Sequence, residues 1–296
     1  MQDVLITGGL GESGRWIINE FVSNEYQVTS LDQVRPDWGP ASSYYDIDFR
    51  EVDLANGGEV FEIIHEVDPD AVVHWGAYPS PLQSTGGRVF TNNVESTYHV
   101  LTAAGQCDAD VVLASSEAVY GYAFAETPSL PDHFPIPTEE PMQPSDAYGL
   151  SKMVAEETGK MAARRYDISV TALRPAWLQY PGKYDCLEIQ SAPEYGKPHF
   201  WAYCDIRDLK QAVRAAVETP LDGFEAFHVM AADNYMGEPT AELIEQEFDA
   251  TPETVSISED GVAYSLAKTR ELLNWAPSYS WKTAADEHVN PPLENV

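Results

Sequence analysis

Val4-Leu5-Ile6-Thr7-Gly8-Gly9-Leu10-Gly11-Glu12-Ser13-Gly14 is the stretch whose reading sets the fold. A short apolar strand at 4–7 runs into a glycine turn, and residues 13–24 carry helical apolar spacing through Trp16, Ile17 and Phe21. Glycines at 8, 11 and 14 permit a tight turn, close approach of the backbone to a pyrophosphate, and close packing of the helix. The helix N-terminus, with Glu12 and Ser13 beside it, then supplies amide donors and a positive dipole end to the phosphates. Asp32 closes the second strand, 18 residues beyond Gly14, where an acid accepts hydrogen bonds from an adenosine ribose. These features predict a bound dinucleotide. The charge of Asp32 opposes a 2′-phosphate and favours NAD, while Arg35, three residues on, offers that phosphate a partner and leaves NADP open. No GxxxxGK[ST] is present, so an ATP-hydrolysing P-loop is not supported.

Outward from this turn, strand-like segments at 27–31, 49–52, 71–74, 111–115, 168–173 and 227–230 alternate with helical ones at 59–67, 87–105, 146–166 and 205–217. Such alternation predicts an α/β fold: a Rossmann-type doubly wound parallel sheet with a small C-terminal substrate-binding region. The NAD-binding domain is expected over 1–173 plus 205–232, and the substrate-binding one over 174–204 plus 233–296. Residues 239–248 and 265–273 read as helices outside the sheet, and 175–198, rich in Pro, Tyr and Gly, as loop. The Pro-rich stretch 127–144 is long for a connection and is expected to wall or cover a binding site.

Tyr148-Gly149-Leu150-Ser151-Lys152 places Tyr and Lys four apart, on one face of a helix. A nearby ammonium favours the phenolate and lowers the tyrosine pKa. Leu113-Ala114-Ser115-Ser116-Glu117 ends the fifth strand, at the carboxyl edge where ligands of open α/β sheets bind. With Thr7–Gly14, Asp53-Leu54, His74-Trp75-Gly76-Ala77, Asn93-Val94-x-x-Thr97, Val119-Tyr120-Gly121, Leu173-Arg174-Pro175 and a late Ser265-x-x-Lys268, nearly the whole chain resembles an extended short-chain dehydrogenase/reductase. That family includes nucleotide-sugar epimerases, dehydratases and free-sugar dehydrogenases.

The resemblance implies catalysis by Ser116, Tyr148 and Lys152. Tyr148 is then the acid/base, Lys152 holds the nicotinamide ribose and lowers the tyrosine pKa, and Ser116 bonds the reacting oxygen. Asp53 and Leu54 flank adenine; Gly76, Ala77, Asn93 and Ala114 line the cofactor cleft, and Pro175 sits near the nicotinamide amide. Substrate contacts are expected from Ser116, Glu117, Tyr148 and Arg174, although Arg174 reads equally as a structural ion-pair partner. His74 reads as a packed strand-end residue. Tyr78, Tyr122, Trp177 and Trp201 are candidates to stack on a sugar, or core residues. The resemblance also implies a homodimer through 93–104 and 153–164.

Dehydratases of this family carry an acid pair after the Ser/Thr, where this chain has Glu117-Ala118. The connection from Arg174 to Asp205 is short and contains two lysines, Lys183 and Lys197, a thin grip for a nucleotide diphosphate. The expected reaction is therefore oxidation of a free, neutral aldose at C1, in the manner of the related sugar dehydrogenases. The alternatives are a nucleotide-sugar 4-epimerase or dehydratase and a non-catalytic NAD-sensing protein.

Composition narrows the setting. The 296 residues hold 48 acidic against 17 basic side chains, a net charge of −31. Phosphate neutralisation needs a basic surface, so nucleic acid is not an expected partner. No run of about 18 apolar residues offers a membrane span, and the N-terminus lacks a signal-peptide pattern, so a cytoplasmic protein is expected. Three widely spaced cysteines, Cys107, Cys186 and Cys204, read as buried reduced thiols, and no metal-ligand spacing occurs among the seven histidines. Self-repulsion at this charge falls sharply where the Debye length is about 3 Å, near 1 M salt. The composition therefore predicts a halophilic protein. Its melting temperature should climb steeply between dilute and molar KCl; a melting curve indifferent to salt would contradict that reading.

Overall fold

Strands buried on both faces have no polar side to alternate with, which is why Val4-Leu5-Ile6 and Ala71-Val72-Val73 run unbroken in apolar residues. The computed structural model describes residues 2–34, 47–125, 127, 129–249, 254–289 and 292; Arg35 lies outside them. Its strands are β1 (Asp3–Thr7), β2 (Gln27–Asp32), β3 (Asp48–Glu51), β4 (Ala71–His74), β5 (Asp110–Ala114), β6 (His133–Phe134), β7 (Val170–Pro175), β8 (Trp177–Gln179), β9 (Tyr203–Asp205), β10 (Phe224–Val229) and β11 (Thr254–Val255). Its helices are α1 (Glu12–Ser23), α2 (Gly57–Val67), α3 (Gly86–Gln106), α4 (Ala147–Tyr166), α5 (Ile206–Glu218), α6 (Thr240–Phe248), α7 (Ala267–Leu272) and α8 (Trp281–Ala284).

Seven parallel strands form one sheet in the order β3-β2-β1-β4-β5-β7-β10. The period of two divides each strand between two cores. Val4, Ile6, Val73 and Val112 pack beneath Trp16, Ile17 and Phe21 of α1 and Leu209 of α5. Leu5, Val72 and Val111 face Ile64 of α2, Leu101 of α3 and Ala155 of α4 on the other side. Small residues let α4 lie close: a Cβ at Gly159 would stand 3.0–3.1 Å from Phe224 and Val170. The sheet is thus the expected Rossmann-type doubly wound one. Its strand order reverses between β1 and β4, which opens a crevice at the carboxyl ends.

A third core joins Val119, Phe134, Phe200, Tyr203, Tyr235 and Tyr264 at the carboxyl edge of the sheet. Here the structure departs from the sequence reading. Trp177–Gln179, expected as loop, forms a parallel pair with β9. Residues 133–134, inside the Pro-rich stretch, pair with β11, and Phe134 and Ile136 are fully buried. Strands of two or three residues are too short for an alternation to show. Cys186 and Cys204 are buried as expected, but Cys107 is half-exposed. Among the described residues, no helix is long and apolar enough to cross a membrane, and no cluster of His, Cys, Asp and Glu could hold a metal.

One buried ion pair ties these parts together. Arg174, at the end of β7, donates from Nε and Nη2 to both oxygens of Glu156 on α4, at 2.8 and 2.7 Å. Its Nη1 donates to the Tyr120 hydroxyl and the Thr138 carbonyl, at 2.6 and 2.7 Å. Glu156 also accepts from Ser115 Oγ at 2.5 Å. Removing one partner strands a buried charge, which typically costs about 3–5 kcal/mol. Arg174→Met and Glu156→Met should each destabilise by that order in urea unfolding at fixed salt, and the double variant by much less than the sum. Additive losses would contradict a coupled pair.

Candidate active site

The crevice is a cleft of about 1100 Å³, beyond the ~300–1,000 Å³ of most single-ligand pockets. Its floor at one end is the glycine turn. Gly8 has φ +70, and a Cβ there would lie 2.5 Å from Gly76 Cα; at Gly14 it would lie 2.1 Å from the Gly8 carbonyl. Only hydrogen fits at either position. The N-cap of α1, Gly11, contributes no side-chain cap, so the first helical amides are left for a ligand. Asp32 lines the cleft with Oδ2 accepting from Leu10 N and Oδ1 from Gln33 N. Gly8, Gly11, Glu12, Ser13, Leu54, Gly76, Ala77, Ala114 and Pro175 all contribute to the wall. A donor-rich helix start, a cradle without side chains and an acid at the end of β2 fit a dinucleotide.

Three expected cofactor residues, Gly14, Asp53 and Asn93, are not among those that line the cleft. Asp53 accepts from the backbone of Ala55 and from Gln33 Nε2. Asn93 is buried, accepts from Tyr78 N at 2.8 Å and donates to Ser151 Oγ, so it positions Tyr78 rather than facing the cleft. His74 is a packed strand-end residue, bonded to Thr7 and Thr97, with its pKa lowered to about 3 by burial and then by Lys152.

At the carboxyl end of β5 the cleft brings Ser116, Tyr148 and Lys152 together. Asp146 caps α4, accepting from the amides of Tyr148 and Gly149 at 2.8 and 2.9 Å, and so fixes the first turn that carries the tyrosine. Lys152 Nζ donates to the Ala114 carbonyl at 2.8 Å and stands 5.7 Å from the Tyr148 ring centroid. Burial lowers the Lys152 pKa to about 8. Burial also raises the Tyr148 phenol to about 12; Ser116 opposes this, and Asp146 and Glu117 add to it. Desolvation thus dominates the phenol, with the Ser116 hydrogen bond as the influence that lowers it.

The far end corrects several expectations. Arg174 does not reach the cleft, because Glu156, Tyr120 and Thr138 occupy its guanidinium. Tyr122 is buried with its hydroxyl on Glu140, and Trp201 is wholly buried with its indole on Pro193, so neither can stack on a ligand. Tyr78 and Trp177 do line the wall. None of the described residues of 127–144 lines the cleft; that stretch serves the third core instead. Phe124, Ile189, Tyr195 and His199 form wall that sequence reasoning missed. His199 Nδ1 lies 2.7 Å from Glu117 Oε1 across 82 residues of chain, a separation that leaves no local signal.

A profile of the NAD dependent epimerase/dehydratase family matches residues 4–185. The chain is 30% identical over 231 residues to an L-arabinose 1-dehydrogenase (NAD(P)(+)) of Haloferax volcanii, covering 75% of this chain and 84% of that protein. It is 29% identical over 178 residues to a UDP-glucose 4-epimerase of Lactobacillus helveticus, covering 58% of this chain. The match spans about half the length of the epimerase relatives. Among solved structures, a Thermotoga maritima UDP-glucose 4-epimerase with UDP-glucose superposes with a TM-score of 0.72 at 20% identity, over 96% of each chain. That likeness is one of fold.

Tyr148→Phe should lower turnover by about 10²–10⁴, the usual share of acid–base catalysis, with cofactor affinity within a few-fold. A purified variant near wild-type activity would remove Tyr148 from the chemistry. Lys152 should lose its proton near pH 8 in pH-dependent amine labelling, well below the exposed lysines. Between about pH 8 and 10.5 the unfolded chain holds a proton that the folded one has shed, so this residue's contribution to stability rises with pH there. Lys152→Met should remove that slope; a labelling midpoint above 10 would contradict the assignment.

Proposed function

From the premise that the chain belongs to the NAD dependent epimerase/dehydratase family, we propose that it oxidises a free, neutral aldose at C1 to the lactone. The observation that carries this reading is the charge of the cleft. Among its described lining residues the basic side chains besides the His199 imidazole are Arg15, Lys152 and Lys183. Arg15 donates to the Leu10 carbonyl and Lys183 pairs with Glu12, both at the dinucleotide end. Lys152 is turned to Ala114. The far end therefore has no Arg fork for a second diphosphate, but has Ser116, Glu117 and His199 among aromatic walls, a surface suited to uncharged hydroxyls.

The extent of likeness supports the same reading. The stretch shared with the Lactobacillus helveticus protein covers 58% of this chain, about the length from β1 through β7. The 75% shared with the arabinose dehydrogenase must continue past β7, into the segments that build the far wall. Length does not separate the two reactions, since a fold of this size also serves a UDP-glucose epimerase.

When bound, NAD supplies the hydride acceptor and a positively charged ring beside Tyr148. Beside that ring and the Lys152 ammonium, Tyr148 would act as the phenolate: its oxygen takes the proton of the anomeric hydroxyl and becomes the phenol, while Ser116 orients the reacting oxygen. A second reading, nucleotide-sugar 4-epimerisation, is favoured by the epimerases among the relatives. A panel of free aldoses beginning with L-arabinose, together with UDP-glucose, assayed with NAD and NADP in molar KCl, separates the two. Expected are NADH formation with one or a few neutral aldoses, lactone as first product, and no turnover of UDP-glucose. Interconversion of UDP-glucose and UDP-galactose without net NADH would overturn the proposal.

A further inference from the structure

We infer that His199 is a specificity-determining residue that reads a substrate hydroxyl through Nε2, and that Glu117 is its positioning residue rather than a substrate contact. This rests on the proposal that the far end of the cleft takes a sugar. Glu117 is 3% exposed, and its Oε1 meets His199 Nδ1 at 2.7 Å. Its Oε2 is buried on the side of the Tyr264 phenol, whose pKa is raised by burial and then by the charge and hydrogen bonding of Glu117. Glu117 edges the cleft, but its Oε1 is taken up by the imidazole and its Oε2 is buried. An ionised carboxylate only accepts, so Nδ1 carries the hydrogen of this bond and Nε2 is the ring's free edge. Nε2 has no hydrogen bond within the described residues, and the ring is part of the cleft wall.

The ring is held from every other side. Trp177 lies 6.2 Å away at 31°, and Phe124 6.4 Å away, edge-on. Phe124 in turn stands 6.0 Å from Tyr148, also edge-on, which puts His199 one ring away from the reacting phenol. The backbone is fixed as well. His199 ends a short 3-10 turn, and the next two residues, Phe200 and Trp201, are fully buried with φ of 47 and 55. Two consecutive aromatic residues in the left-handed region persist only where packing over-determines them, and such strain gathers at functional sites. Gly196, one turn earlier, has no room for a side chain because the Tyr235 hydroxyl and Trp201 occupy the space. A wall residue with one nitrogen anchored and the other free is a preorganised hydroxyl reader, acting as acceptor when neutral and as donor when charged.

The test compares His199→Ala, His199→Gln and Glu117→Gln with wild type on the preferred aldose and its epimers, alongside NAD affinity and melting temperature. Loss of the contact should lower kcat/KM for the preferred aldose by about tenfold or more and compress its ratio over the epimers. His199→Gln should recover part of that ratio, and Glu117→Gln should weaken it. A purely structural role would shift melting temperature and all sugars alike. Saturating aldose should also protect His199 from diethyl pyrocarbonate in the wild type. An unchanged epimer ratio in a folded His199→Ala overturns the inference while leaving the oxidation standing. If the wild type turns over no free aldose, the oxidation falls. The inference is then judged by the same protection with UDP-glucose, and an unprotected imidazole overturns it.

Discussion

The hydrogen bond from the Lys152 ammonium to the Ala114 carbonyl is the contact on which the rest of the site depends. It joins the one helix that carries Tyr148 to the end of the central strand that carries Ser116. Each partner is there for a reason that precedes chemistry. Parallel strands must be covered on both faces, and their carboxyl ends are left with carbonyls that no neighbouring strand satisfies. A buried ammonium needs acceptors for the same reason. Joining them settles both demands, and it leaves a lysine whose pKa is lowered to about 8 beside a phenol raised to about 12.

Charge is distributed unevenly around that pair. The dinucleotide end offers amides, helix dipole and two cations; the far end offers a buried carboxylate, an imidazole and aromatic rings. Over the whole molecule acid dominates, yet inside the cleft two of the carboxylates are occupied. Asp32 is tied to two backbone amides and Glu117 to His199. A neutral polyol meets little repulsion in such a place, whereas a second diphosphate would find no fork to hold it. The reading of the substrate rests on this contrast.

The sheet was legible in the sequence because two-face burial writes it as apolar runs, and the glycine turn because only hydrogen fits at Gly8 and Gly14. The Tyr148 and Lys152 pair was legible because both residues lie on one helical face. What escaped reading has a common cause. Arg174 and Glu156 meet across 18 residues and Glu117 and His199 across 82, and a single sequence carries no mark of which charges will pair between elements. The short strands of the third core were lost to their length, and Trp201 and Tyr122 were left open between core and wall because an aromatic residue in either place looks alike in sequence; both are core.

The account stands on hydride leaving C1 of a free sugar while Tyr148 takes the hydroxyl proton. The most direct measurement uses the turned-over aldose deuterated at C1, with the nicotinamide product analysed by mass and NMR. Deuterium transferred stoichiometrically into NADH, with a primary isotope effect on single-turnover oxidation, is the predicted result. Deuterium retained in the sugar through turnover, or lost to water, would contradict it.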